Sequence, residues 1–214
     1  MGRMILELPS GAEVRFLLSQ TSPGVLATSW TLMLAAMMVP LIDAPLRHVR
    51  VRSLTRTRSR AMWSFVGGYL AVWVAAGVPL IASAVAIRAA VADPAVAFVL
   101  AAAGAVGWNA SGWKRVALNR CHARPPLTGK RAAVTFGLRH GLSCLIGCAP
   151  LMIAALLAST YPTFVMALAA LWIWAERLEP PRALGTGPIW PRRALRAALH
   201  QLRLVFSLRR TVSP

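Results

Sequence analysis

FGLRHGLSCLIGCAPLMIAALLAS, Phe136 to Ser159, is apolar over almost its whole length. At about 1.5 Å of rise per residue it reaches across a hydrocarbon core of about 30 Å as an α-helix. Immediately after it, Thr160-Tyr161-Pro162 leaves room only for a hairpin, so the next apolar stretch, Thr163 to Ala175, returns antiparallel. Working back toward the N-terminus, the same reading gives spans at Val25 to Ile42, ended by Pro40 and Asp43, at Trp63 to Ile87, and at Pro94 to Trp113. The expected fold is all-α: a polytopic membrane bundle of about five transmembrane helices at 25–178, after an N-terminal segment at 1–24. A basic tail at 179–214 follows, in which Leu195, Leu199, Leu202 and Phe206 recur at helical spacing from Pro191 to Arg210, as in an amphipathic helix lying at a membrane interface.

Composition agrees. Of 214 residues, 57% are hydrophobic and 14% charged, a balance outside the range of soluble domains. The net charge of +18 would suit a nucleic-acid partner in a soluble chain. Here the basic residues alternate with apolar spans and carry no nucleic-acid motif, so the bilayer is the expected partner and nucleic acid is not. The loop between the first two spans holds Arg47, Arg50, Arg52, Arg56, Arg58 and Arg60, the next loop only Arg88, and the fourth-to-fifth connection no basic residue. With Lys114, Arg115, Arg120, Arg124, Lys130 and Arg131 after the third span, this alternation places the N-terminus outside and the C-terminus inside a bacterial cytoplasmic (inner) membrane. Asn109-Ala110-Ser111 matches a glycosylation sequon and reads as chance at the inner end of the third span.

Chemistry concentrates on the fourth span, where His140, Cys144, Cys148 and Met152 follow at intervals of four and fall on one helical stripe. Imidazole, thiolate and thioether favour soft or borderline ions, copper(I) first and zinc(II) second. The stripe is about 18 Å long, so one ion cannot touch all four, and Met152 lies about 12 Å of rise from Cys144. Packing is the competing account, since Cys and Met are common fillers of helix interfaces. Topology brings Met37, Met38, Lys114, Cys121 and Glu176 to the same inner level. The candidate metal set is therefore His140, Cys144, Cys148, Cys121, Glu176 and Met37. For Glu176 the alternatives are a ligand, an acceptor orienting His140, or a carboxylate paired with Lys114 or Arg139. Three cysteines in such a chain do not make a disulfide framework.

Trp30 with Leu34-Ala35-Ala36-Met37-Met38-Val39-Pro40, Gly68-Tyr69 with Trp73, the Lys114 to Cys121 segment, Gly137-Leu138-Arg139-His140-Gly141 and Glu176 together resemble a bacterial family of predicted metal-binding integral membrane proteins. The resemblance covers most of the chain. It implies a cysteine three residues after Lys114 and a C-x-x-C-C arrangement after GLRHG, where this chain has Ala117 and Gly147 instead. A thiolate site short of two ligands changes its metal, weakens, or no longer binds one.

Two functions from different classes follow. The first is a membrane protein that binds a soft metal, copper before zinc, for delivery or metalloprotein assembly. The second is a structural or assembly subunit of a larger membrane complex, with a degenerate site, no metal, and other membrane subunits as partners. Catalysis has little support, because HExxH, GxSxG, P-loop and paired-carboxylate motifs are missing from the sequence. Cysteines introduced between Arg47 and Arg60, or after Glu176, are expected to be shielded from a membrane-impermeant thiol reagent applied to the periplasmic face of intact cells; labelling there would reverse the orientation.

Overall fold

A computed structural model describes residues 23–126 and 129–181, with positions 183, 187, 191–193, 195–197 and 200–201. Its elements are helices: α1 (Pro23–Arg52), a 3-10 turn (Thr55–Thr57), α2 (Arg58–Ala90), α3 (Pro94–Asn109), α4 (Gly112–Cys121), α5 (Gly129–Leu157) and α6 (Pro162–Arg177). Among the described residues two helical stretches, Thr55–Ala90 and Gly129–Leu157, are long and apolar enough to cross a membrane, and a third is added if α3 and α4 form one bent span. The N-terminal segment and most of the expected amphipathic stretch from Pro191 to Arg210 lie outside the described residues.

The helix carrying the cysteine stripe, α5, is the centre of the bundle and packs against α2, α3, α4 and α6. Its closest partner is α2, because glycines remove the side chains where the two helices cross. A Cβ at Gly68 would stand 2.6 Å from the Val134 carbonyl oxygen, and one at Gly137 would collide with the Phe65 carbonyl oxygen. Gly141 lies against Val72 and the Tyr69 carbonyl in the same way. Backbones this close gain dispersion contact, the main force holding helices together where lipid supplies no hydrophobic drive. The glycines of GLRHG thus serve packing, and they carry the aromatic side chains of α2 onto the stripe.

Three expected boundaries move. The first helix does not stop at Pro40 and Asp43 but runs through Pro40 and Pro45 to Arg52. Its added turns bury Val49 against Phe65 and Phe136, with Leu46 packed alongside, and an exposed Arg47–Asp43 pair at 2.9 Å spans one turn. The fourth helix begins at Gly129 rather than near Phe136, which extends the same packed end of the bundle. The third span does not continue straight to Trp113: the chain turns by 69° between α3 and α4. There the amides of Ala110 and Ser111 close back on Gly107 and Trp108, and the Ser111 hydroxyl caps α4 by accepting from the Lys114 amide at 3.2 Å. Serine at an N-cap satisfies an otherwise orphaned donor, so the segment starts a new helix instead of prolonging the old one.

The expected hairpin is present, with α6 following α5 after four residues, 158–161. Pro162 opens α6 at a position where its missing N–H costs nothing. Farther up α5, Pro150 has no N–H to give the Ile146 carbonyl four residues earlier. Trp108, one residue from the end of α3, fills that vacancy, its Nε1 donating to the Ile146 oxygen at 3.0 Å. The proline of one helix therefore creates the acceptor that anchors another. Trp108→Phe should cost about 1–3 kcal/mol of stability by leaving that carbonyl unpaired, and markedly less in a Pro150→Ala background, where an amide returns to the ladder. Equal costs in both backgrounds, measured by unfolding in mixed detergent, would refute the coupling.

Candidate metal centre

Helix α4, the middle of α5 and the last turns of α6 enclose a small cavity lined by Lys114, Leu118, Cys121, Ser143, Cys144, Gly147, Cys148, Ile173, Glu176 and Arg177. It has space for about one water-sized sphere. Each wall follows from local sequence. The 69° elbow swings α4 so that Lys114, Ala117, Leu118 and Cys121, at spacings of three and four, form its buried face. The four-residue period of α5 brings Cys144 and Cys148 to the cavity, and the last turn of α6 adds Glu176 and Arg177. The His122 ring ties the ends of α4 and α6 together, lying 2.9 Å from the Leu118 carbonyl oxygen and 3.2 Å from that of Arg177.

All three cysteines are free and buried. The Tyr69 hydroxyl donates to the Cys144 sulfur at 3.6 Å, while the Cys148 thiol donates to the Cys144 carbonyl at 3.0 Å and meets the Met152 sulfur at 3.9 Å. Arg177 lines the same cavity as Cys121 and Cys144. Lys114 Nζ donates to Glu176 Oε1 at 2.7 Å, and Trp172 Nε1 donates to the same oxygen at 2.6 Å. Both members of the Lys114–Glu176 pair are about 95% covered, so removal of either would strand a buried charge, typically at a cost of about 3–5 kcal/mol.

Of the six candidate residues, Cys121, Cys144, Cys148 and Glu176 line this one cavity. His140 and Met37 do not. His140 is 3% exposed and sits among the rings of Phe65, Tyr69 and Phe136 at centroid distances of 5.9–6.0 Å. Neither of its ring nitrogens has a hydrogen-bond partner among the described residues. Glu176 therefore pairs with Lys114 rather than orienting His140, and Arg139 is exposed. Met37 lies in the buried cluster that also holds Met38, Tyr69, Trp73, Cys144, Cys148 and Met152. Among the described residues no group of three His, Cys, Asp or Glu side chains is placed to hold a metal ion.

Arg177 is not among the residues read from the sequence as site candidates, and Tyr69 enters there only through the family resemblance, with no role at the site. Arg177 resembles any basic residue at the end of a span, and its position directly after Glu176, on the expected inner level, is the signal that points to it. The place of Tyr69 beside Cys144 follows only from the glycine crossing of α2 and α5.

A buried, sulfur-lined cavity suits a soft ion, and the comparison with known families bears on which one. Residues 27–188 match the family PpoB2, described as copper chaperone. The chain belongs to that family. No curated protein and no solved structure matches it. Membership agrees with the copper-related expectation drawn from the cysteine stripe and leaves its residues to be assigned by chemistry.

Gly147 gives a direct test of the cavity as a ligand site. It lines the space, and a Cβ built on it meets no atom within 4 Å. Gly147→Cys should therefore be tolerated, since replacing a mid-helix glycine favours the helix by about 0.5–1 kcal/mol, and it should tighten Cu(I) retention by adding a thiol to the wall. Unchanged retention in a chelator competition would count against the cavity.

Proposed function

We propose that this chain is an integral membrane copper chaperone, which carries Cu(I) on the Cys144 and Cys148 thiolates and hands it to a copper-requiring acceptor protein. The observation that carries the reading is the convergence of three free, buried cysteines on one cavity between α4, the middle of α5 and the last turns of α6. Two thiols one helical turn apart and a thioether 3.9 Å from one of them make a donor set for a soft monovalent ion. Cys121, across the cavity on another helix, is the third thiol and the natural receiving or releasing ligand, because exchange from thiolate to thiolate spares the ion any passage through water. His140, one turn from Cys144 with both nitrogens unpartnered, lies on the same stripe but outside the cavity.

The helices α1, α2, α3, α5 and α6 overlie the five apolar stretches of the sequence. In the reading proposed, they cross the inner membrane with the N-terminus outside, the α4 elbow folds back against the bundle near the inner face, and the thiol cavity opens toward the cytoplasmic level. The basic tail rests on anionic headgroups. Glu176 has the role of partner to Lys114 rather than ligand, and zinc is the secondary ion.

Full-length protein purified anaerobically in mild detergent should retain Cu(I) against a competing chelator. Cys144→Ser and Cys148→Ser should each lower the affinity about tenfold or more, since an alcohol is a poor ligand for Cu(I). Met152→Leu should cost less, because a neutral thioether is the weaker donor and leucine keeps its volume. Folded Cys144→Ser/Cys148→Ser protein that retains as much copper as the native chain would refute the assignment.

A further inference from the structure

The sequence places three charged residues, Lys114, Glu176 and Arg177, where the bundle is otherwise apolar, and the fold gathers all three at one cavity. Charges at membrane depth are expensive, so their sum matters as much as their positions. Lys114 and Glu176 cancel through their 2.7 Å contact. Arg177 remains, and with neutral thiols the cavity wall carries one net positive charge, from Lys114 and Arg177 against Glu176. A site built for a free cation should not present that sign.

Cation binding through thiolates reverses the sign. When Cu⁺ binds Cys144 and Cys148, two S–H bonds break, two Cu–S bonds form, both protons leave to bulk water and no electron moves. The bound unit, one cation with two thiolates, has a charge of −1. Added to the cavity's +1, it leaves the loaded site neutral. Zn²⁺ on the same two thiolates is neutral in itself, so the loaded site keeps an uncompensated +1 in a low-dielectric interior.

Resting on the copper-carrying reading above, we infer that Arg177 is the specificity-determining counter-charge of the site: it matches the cavity to a monovalent ion held by two thiolates and disfavours divalent ions. Its position suits the role, because Arg177 lines the same small cavity as Cys121, Cys144 and Cys148 and so faces the space where the sulfurs gain charge. Arginine is also suited chemically, because its charge is permanent and its weakly hydrated plane tolerates partial burial. The Lys114–Glu176 pair has a different task. It holds α4 to α6 and contributes no net charge.

The test measures the ratio of Cu(I) to Zn(II) affinity on the same anaerobic sample of full-length protein, by competition with a chelator for each ion. Arg177→Met should lower that ratio about tenfold or more. Arg177→Lys, which keeps the charge, should stay within about threefold of the native ratio. Lys114→Met/Glu176→Gln, which removes the pair but preserves the net +1, should also stay within about threefold. A purely structural role for Arg177 would lower both affinities together and leave the ratio fixed. The inference is overturned if the ratio of Arg177→Met stays within about threefold of native, or if Arg177→Lys falls as far as Arg177→Met. If the double variant does not fold, the Met and Lys substitutions at 177 decide alone. Native protein that holds neither ion would overturn the copper-carrying reading itself, an outcome distinct from an unchanged ratio in a protein that binds copper.

Discussion

The near-contact of two backbones at Gly68, Gly137 and Gly141 sets the rest of the structure. With α2 pressed this closely on α5, Tyr69 comes within 3.6 Å of the Cys144 sulfur, and Phe65 and Tyr69 close around His140. A single methyl group at Gly137 would have to displace the Phe65 carbonyl, and every ring that α2 presents would shift with it. The chemistry of the stripe therefore depends on three positions that offer no side chain at all.

Polar groups in the bundle are handled by pairing rather than by solvent. Pro150 leaves a carbonyl that Trp108 takes up, Lys114 and Trp172 both serve Glu176, and His122 spans two helix ends. Each bond joins a helix to a different helix or closes a turn within one, so satisfying the backbone and fixing the tertiary arrangement are the same act. His140 is an exception, and among the described residues the indole nitrogens of Trp30 and Trp73 also have no partner. The unpartnered nitrogens of His140, enclosed by aromatic rings, mark a place where polarity is kept despite its cost, as is common at functional positions.

Much of this was legible in the chain. Apolar length located the helices, the four-residue period predicted that His140, Cys144, Cys148 and Met152 would share a buried face, and charge alternation collected Lys114, Cys121 and Glu176 at one level. The missing parts were those that depend on cross-chain geometry. Asn109-Ala110-Ser111 contains neither a proline nor a charge to announce an end, so the elbow into α4 read as the continuation of a span; its cause is a serine cap that only a bent backbone uses. Pro40 and Asp43 looked like a terminus because the burial of Val49 beneath Phe65 and Phe136 involves residues distant in sequence. His140 and the cysteines shared a stripe but not a cavity, since the helix period fixes direction and says nothing about what stands opposite.

The elbow between α3 and α4 has one more tie, to a residue beyond α6. The amide of Gly187 donates to the Ala110 carbonyl at 2.9 Å, and Arg115 Nη2 donates to the Gly187 carbonyl at 2.8 Å. During synthesis α3 and α4 emerge well before Gly187 does, so the corner that aims Lys114 and Cys121 inward is fastened only by a residue that follows α6. A chain cut short after α6 would lack that fastening. A residue beyond α6, and not the apolar helices alone, thus fastens the thiol-lined wall.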